Sequence, residues 1–370
     1  MSQEHIKAAR RVKIMGERLK IGIVGCGVIG RHHAQQLQLL ETAVTAGFVD
    51  SVQEKAEQYA IEFGGRAYSN YADMLQDPEI TAVSICTPSG MHGEMTIAAA
   101  RAKKHVIVEK PMDINMAMAQ RMVEECREEG VMLAGIFQHR FDYASLRVKQ
   151  MLEEGRFGKL ILVNGNVHWY RSDAYYESGD WRGTWTLDGG GVLMNQAIHT
   201  VDLVQYFGGP VLEVTAKTAN RTHPLIETED VVAALFSFQN GAMGSFTATS
   251  SAYPGLNTRV EIIGETGTCI IENNKIIYEH YKGAENIGTH GMDPSVSNQW
   301  EPELEASSQG VYHKVYGDSH FSQLSNFVEA ICTGHEPRVS GEDSLHALEL
   351  VLAVYRSQET RQTVLLPLEL

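Results

Sequence analysis

Three groups of residues in this sequence have types and spacings that can do chemistry. In the first, Gly25-Cys26-Gly27-Val28-Ile29-Gly30 directly follows an apolar run and directly precedes a helical stretch. In that setting Gly25 permits a tight turn, Gly27 admits a pyrophosphate to the backbone, and Gly30 lets helix and strand pack closely. Val28 and Ile29 complete the loop, and the phosphates meet the positive end of the helix dipole. Asp50 ends the next apolar run, where a carboxylate accepts from both ribose hydroxyls of an adenosine. A 2′-phosphate would meet its charge with no Arg or Lys at the next few positions to compensate. The pattern therefore predicts NAD as cofactor, with NADP disfavoured.

The second group is His105-Val106-Ile107-Val108-Glu109-Lys110-Pro111. It puts a lysine at the carboxyl end of a buried strand, the edge where open α/β sheets bind ligands. A partly desolvated lysine has its pKa lowered toward working pH, which suits proton transfer. The plain alternative is a surface lysine at a strand end. Pro111 fits a cis peptide in a tight turn. In the third group, Asp188-Gly189-Gly190-Gly191 leads into Asn195 and His199, which share one helix face at i and i+4, with Asp202 near it. His168, His199 and Asp202 make no complete zinc ligand set, so no metal is expected.

These residues need a scaffold, and the hydrophobic pattern supplies one. Strand-like runs at 19–24, 44–49, 82–86, 105–108 and 131–137 are almost continuously apolar and alternate with helical stretches at 52–63, 91–101 and 114–129. That is the signature of a parallel sheet covered on both faces. After Gln138 the rhythm changes. A helix at 143–154, a strand at 160–168 and a helix near 194–207 precede strands joined by hairpin signals, of which Asn240-Gly241 is the strongest. The expected fold is α/β: an N-terminal Rossmann domain with a parallel sheet, then an α+β domain with an open, mostly antiparallel sheet. The expected divisions are a flexible extension over 1–18, an NAD(P)-binding domain over 19–138, and a substrate-binding and oligomerisation domain over 139–370. Residues 282–316 read as a long loop, and helices at 321–333 and 342–357 precede a last strand at 364–367.

Composition narrows the partners. A formal net charge of -15 argues against nucleic acid and anionic membranes, which recruit basic surfaces. No apolar run reaches the length of a membrane span. The 5 cysteines show no C-x-x-C spacing, which fits reduced thiols in a cytoplasmic protein. Residues 1–18 are basic through Lys7, Arg10, Arg11 and Lys13, but Glu4 and Glu17 and the lack of an apolar core weaken a targeting role.

The glycine loop, Cys86-Thr87-Pro88 with His92, Glu109-Lys110-Pro111, and Gly189-Gly190-Gly191 through Asn195 and His199 together resemble the glucose–fructose oxidoreductase/inositol dehydrogenase (Gfo/Idh/MocA) family. The resemblance runs from Leu19 to Leu370. It implies a dehydrogenase acting on a secondary hydroxyl of a sugar or cyclitol, and a homodimer or homotetramer built through the C-terminal sheet. Lys110 would act at the reacting hydroxyl with His199 as proton-transfer partner. Thr87, Pro88 and His92 would lie near the nicotinamide ribose, with Glu109 among the cofactor contacts. Many members carry Asp where this chain has Asn195, and asparagine takes no proton. That disfavours an inositol substrate and resembles the Asn-x-x-x-His subgroup, which includes nucleotide-sugar dehydrogenases acting at C3.

The loop from Trp169 to Trp185 fits a carbohydrate, because aromatic rings stack on pyranose faces and arginines fork onto hydroxyls or carboxylates. Trp169, Arg171, Tyr176 and Arg182 are its candidate substrate contacts, joined by Gln138, Asn195 and His199. His139 and Arg140 are either further contacts or ion-pair partners. The leading expectation is an NAD-dependent sugar dehydrogenase. Its rivals are an inositol 2-dehydrogenase, a keto-sugar reductase using NAD(P)H, and a non-catalytic NAD-bound sensor.

Overall fold

The computed structural model describes residues 18–283 and 319–369. All but the last residue of the expected extension over 1–18, and nearly all of the expected loop over 282–316, lie outside the described residues. The chain divides into two compact units.

The first unit is built on a six-stranded sheet in the order β3-β2-β1-β4-β5-β6. Its strands are β1 (Leu19–Val24), β2 (Ala43–Val49), β3 (Arg66–Ala67), β4 (Ala82–Ile85), β5 (His105–Val108) and β6 (Leu133–Gly135). Every pairing is parallel. β4 is buried throughout and β1 almost so, as strands covered on both faces must be. The helices are α1 (Val28–Gln38), α2 (Gln53–Phe63), α3 (Tyr71–Gln76), α4 (His92–Arg101) and α5 (Met116–Glu129). The order reverses between β1 and β4, so the loops after β1, β4 and β5 leave the same carboxyl edge beside the switch point.

This unit also takes in Thr186–Gly189 and Ser319–Leu348, which the sequence reading assigns to the second domain. The reason is burial. Leu324, Phe327, Val328 and Ile331, on the helix Ser319–Thr333, share one core with Ile21, Phe48 and Phe63. Gln323 fastens it further, donating to Gly135 O at 2.8 Å and accepting from Phe137 N at 3.1 Å.

The second unit carries an eight-stranded mixed sheet, order β13-β12-β11-β7-β10-β9-β8-β14. Its strands are β7 (Leu160–His168), β8 (Val211–Ala219), β9 (Val231–Phe238), β10 (Met243–Thr249), β11 (Arg259–Gly264), β12 (Gly267–Glu272), β13 (Lys275–Tyr281) and β14 (Val364–Leu365). Only β10 with β7 is parallel. Alternation along β9 and β10 buries Val232, Ala234, Phe236, Phe246 and Ala248 on one face. Its helices include α6 (Tyr143–Glu153), α7 (Asp173–Glu177) and α8 (Ile198–Gly208). One turn of π-helix, Leu193–Ala197, precedes α8, where a regular helix is expected.

Candidate active site

In the first unit the glycine loop fits a dinucleotide. Gly25 has φ 95°, and a Cβ on Gly30 would lie 2.1 Å from Gly25 O, so neither position accepts a side chain. At Gly27 a Cβ would meet nothing within 4 Å, which leaves the approach to the backbone open. No side chain caps α1 at Gly27, whereas Asn115 caps α5 by accepting from Met118 N at 3.0 Å. The first amides of α1 are thus left for an anion. Asp50 braces the loop, its Oδ2 accepting from Cys26 N at 2.7 Å and its Oδ1 from Val52 N at 2.9 Å. Val28 and Ile29 form the first turn of α1.

Thr87 and Pro88 follow β4 on the same edge. His92 is buried beneath them, with Nε2 2.9 Å from Thr87 O and Nδ1 2.8 Å from Pro111 O. Its ring therefore ties the loop after β4 to the loop after β5. Burial pushes its pKa down, against the two carbonyls that favour the charged ring. Lys110 is half-buried just past β5, and Lys110–Pro111 is cis.

Glu109 turns inward rather than toward the loop edge. Its Oε1 lies 3.0 Å from His33 Nε2, and His33 Nδ1 lies 2.7 Å from Ser84 Oγ. Burial alone would raise the Glu109 carboxyl, but the hydrogen bond and charge of His33 outweigh it and hold the pKa at about 2. Burial likewise opposes a charge on His33, and its contacts with Cys86 and Glu109 reverse that and raise its pKa. Glu109, His33 and His320 place ligand-type atoms within 4.8 Å of one another. The hydrogen bonds of His33 account for both its ring nitrogens without an ion.

In the second unit Asn195 sits in the π-turn and His199 on α8. The His199 ring meets the His139 ring edge-on at 5.2 Å, and His139 Nδ1 is 2.7 Å from Asp142 Oδ2. Arg140 is an ion-pair partner within its own unit: Nε donates to Asp202 Oδ2 at 2.9 Å and Nη2 to Oδ1 at 2.6 Å. His168 pairs with Thr247 Oγ1 at 2.8 Å, so His168 and Asp202 are both engaged elsewhere. Gln138 is buried at the end of the first unit.

The aromatic loop forms a ladder. The Arg171 guanidinium lies 5.0 Å from the Trp169 ring centre and 5.2 Å from that of Tyr175. Arg182 lies 4.4 Å from Tyr175 and 4.6 Å from Trp181. Tyr176 is instead buried, donating to Ser250 Oγ at 2.9 Å. Its neighbour Tyr175 holds the ladder together, and its hydroxyl accepts from Arg182 Nη1 at 2.7 Å and Gln196 Nε2 at 3.1 Å.

Sequence reasoning passed over Glu229 and Asp230. Glu229 is buried; its Oε2 accepts from Gly191 N and its Oε1 from Leu193 N, each at 2.9 Å, while Tyr355 Oη donates to Oε1 at 3.0 Å. A Cβ on Gly191 would lie 1.8 Å from Glu229 O, so the run of glycines lets this strand-end carboxyl reach the helix start. Burial raises the Glu229 pKa to about 7 in spite of those donors. Asp230 accepts from Arg221 N and Thr222 N at 2.7 Å and braces that loop. The available signal was two adjacent acids opening an apolar strand, Thr228-Glu229-Asp230-Val231.

A Rossmann unit with an open phosphate loop and a second unit with an open sheet define an NAD-binding oxidoreductase class. Residues 19–137 match the oxidoreductase family with NAD-binding Rossmann fold, GFO/IDH/MocA, and residues 145–270 match the GFO/IDH/MocA C-terminal domain. The chain belongs to the GFO/IDH/MocA family. It is similar to the WlbA dehydrogenase from Bordetella pertussis, whose crystal structure holds NADH and UDP-GlcNAcA, at 32% identity over 95% of this chain and 100% of that one, with a TM-score of 0.82. It is 27% identical over 362 residues to the myo-inositol 2-dehydrogenase of Thermotoga maritima, covering 94% of this chain and 98% of the relative. It is 27% identical over 349 residues to the NAD(+)-dependent scyllo-inositol 2-dehydrogenase of Bacillus subtilis, covering 93% and 95%. Its cofactor is NAD, and no helix among the described residues is long and apolar enough to cross a membrane.

Proposed function

We propose that this chain oxidises a secondary hydroxyl of a sugar with NAD, or reduces the matching ketone with NADH. The observation that carries the reading is the position of Lys110, on the sheet edge that also bears the glycine loop and Thr87-Pro88. When bound, the nicotinamide supplies the hydride acceptor. In the oxidising direction Lys110, as a neutral amine, takes the hydroxyl proton, and His199 passes it on toward solvent. Asn195 orients the hydroxyl by hydrogen bonding, and Trp169 offers its ring to a pyranose face. The names of the relatives support this class, and the motif match supports the residue roles.

An inositol substrate is the second reading, favoured by two of those relatives and opposed by Asn195. A non-catalytic sensor has the intact Lys110 and His199 against it. A panel of monosaccharides, uronic acids, UDP-sugars and inositols, followed by NADH absorbance, separates the three. Silence across the panel with tight NAD binding would favour the sensor. Lys110→Ala is expected to lower kcat by about two to four orders of magnitude, the usual worth of general base catalysis. Near-full turnover by that variant with NAD still bound would sink the assignment.

The outward face of the second sheet is the proposed oligomer face. Leu235, Met243 and Leu365 are 62%, 61% and 66% exposed, and the strand register places all three on that side. The 5 free thiols support a reducing, cytoplasmic setting.

A further inference from the structure

The aromatic ladder carries two cations that form no ion pair with any of the described residues. Among the described residues neither Arg171 nor Arg182 joins an ion pair, in a chain with 46 acidic residues against 31 basic ones. Both lie within 5.2 Å of the centre of one ring, Tyr175, so two like charges gather about a single side chain and repel. Aromatic contact holds a guanidinium by its π-face and leaves its N–H edge available. Arg171 uses Nη1 on Tyr170 O at 3.1 Å, while its buried Nε has no hydrogen-bond partner among the described residues. Arg182 uses Nε on Ser178 Oγ at 3.2 Å and Nη1 on the Tyr175 hydroxyl. Among the described residues, Nη2 of each therefore takes part in no hydrogen bond. The Gln196 bond to Tyr175 joins the ladder to the residue next to Asn195.

We propose that Arg171 and Arg182 form a subsite for an oxyanion on the substrate, a carboxylate or phosphate carried by the sugar. An oxyanion relieves the repulsion between the two guanidiniums and satisfies the spare N–H groups, which a neutral polyol does less well. Held rigid by Trp169, Tyr175 and Trp181, the forks lose little freedom on binding. The inference rests on the dehydrogenase reading and narrows it to acidic or phosphorylated sugars. A neutral inositol would leave both charges unanswered.

The test uses the full chain saturated with NAD. Binding of glucose, myo-inositol, glucuronate, glucose 1-phosphate and UDP-glucuronate is measured by calorimetry, and turnover is followed with the same set. At least one anionic sugar is expected to bind tenfold or more tighter than glucose, with affinity that falls as salt rises. Glucuronate alone reports a carboxylate site and glucose 1-phosphate alone a phosphate site. Arg171→Gln and Arg182→Gln should each weaken the anionic ligand about ten- to a hundredfold, with an unchanged Kd for NAD reporting intact folding. Arg171→Lys and Arg182→Lys keep the charge without the fork and should fall between, which covers a Gln variant that fails to fold. The inference is overturned if no anionic sugar binds, if glucose or myo-inositol binds as tightly as every anionic ligand, or if the Gln variants bind like wild type. Arginine-dependent binding without any turnover would instead overturn the dehydrogenase reading and leave the subsite standing.

Discussion

Glu109 shows what a single buried charge does in this protein. With His33 it forms an ion pair inside the first unit, backed by Ser84. Removing one partner leaves the other charged in a dry interior, so Glu109→Ala is expected to cost about 3–5 kcal/mol, read from urea melts near neutral pH. The pH dependence follows from the two shifts. The Glu109 pKa drops from 4.5 to about 2 on folding, so its share of stability is full above 4.5 and is lost as pH falls toward 2. The His33 pKa rises above 6.5, so its share is full below 6.5 and is lost as pH climbs through the raised value. Melts of Glu109→Ala across that range should lack the acid limb between 4.5 and 2. Asp50 acts differently: it braces the glycine loop through Cys26 N, and its proposed role is to accept from the ribose of the cofactor. Asp50→Ala should weaken NAD binding about tenfold (~1.4 kcal/mol) and narrow the preference over NADP, both measurable by fluorescence titration.

At the scale of elements, the helix that presents Asn195 and His199 depends on a cap from elsewhere in the chain. Glu229 holds its first turn from the strand side, and Tyr355 steadies the carboxyl from the helix Gly341–Thr360. Glu229→Ala would free two backbone donors, with a cost of about 1–3 kcal/mol for each buried group left unmet. A small displacement of reacting groups costs up to about a hundredfold, so kcat should fall more than KM rises while NAD binding holds. Glu229→Gln, which keeps an acceptor, should restore much of that loss. The Glu229 pKa rises from 4.5 to about 7, so its contribution is full below 4.5 and is lost as pH rises through about 7. The Gln variant should therefore show a flatter stability profile between those values in thermal melts. The π-turn at Leu193–Ala197 belongs to the same device, since such turns widen a helix locally and often mark functional positions.

At the scale of the molecule, the eight-stranded sheet exposes Leu235, Met243 and Leu365 on one face among the described residues. Polar residues such as Ser245 and Thr247 alternate there with Leu235 and Met243, a mixture suited to contact between copies. Leu235→Glu with Met243→Glu should reduce the mass measured by sedimentation equilibrium to that of a monomer at 41.0 kDa. An unchanged assembly would place the contact elsewhere. The formal charge of -15 should keep the separated monomers of that variant in solution.

The sequence by itself determined the parallel sheet, the phosphate loop, Asp50 and the place of Lys110. Each rests on local information: apolar runs of strand length, glycines at fixed offsets, a lysine directly after a buried strand. Spacing also put Asn195 and His199 on one helical stretch, although the π-turn between them was invisible to a 3.6-residue period. Only the tertiary structure decided which way neighbouring side chains point and what answers them. It turned Glu109 inward to His33, 76 positions away, and set Tyr175 rather than Tyr176 between the arginines. It paired Arg140 with Asp202 and brought Glu229 to the start of the helix through the close approach at Gly191. It also packed the helix Ser319–Thr333 onto the first unit, because its apolar face completes the core around Ile21 and Phe48. Those partners lie tens to hundreds of residues apart, and a buried charge finds its counter-charge only once the chain has closed around it.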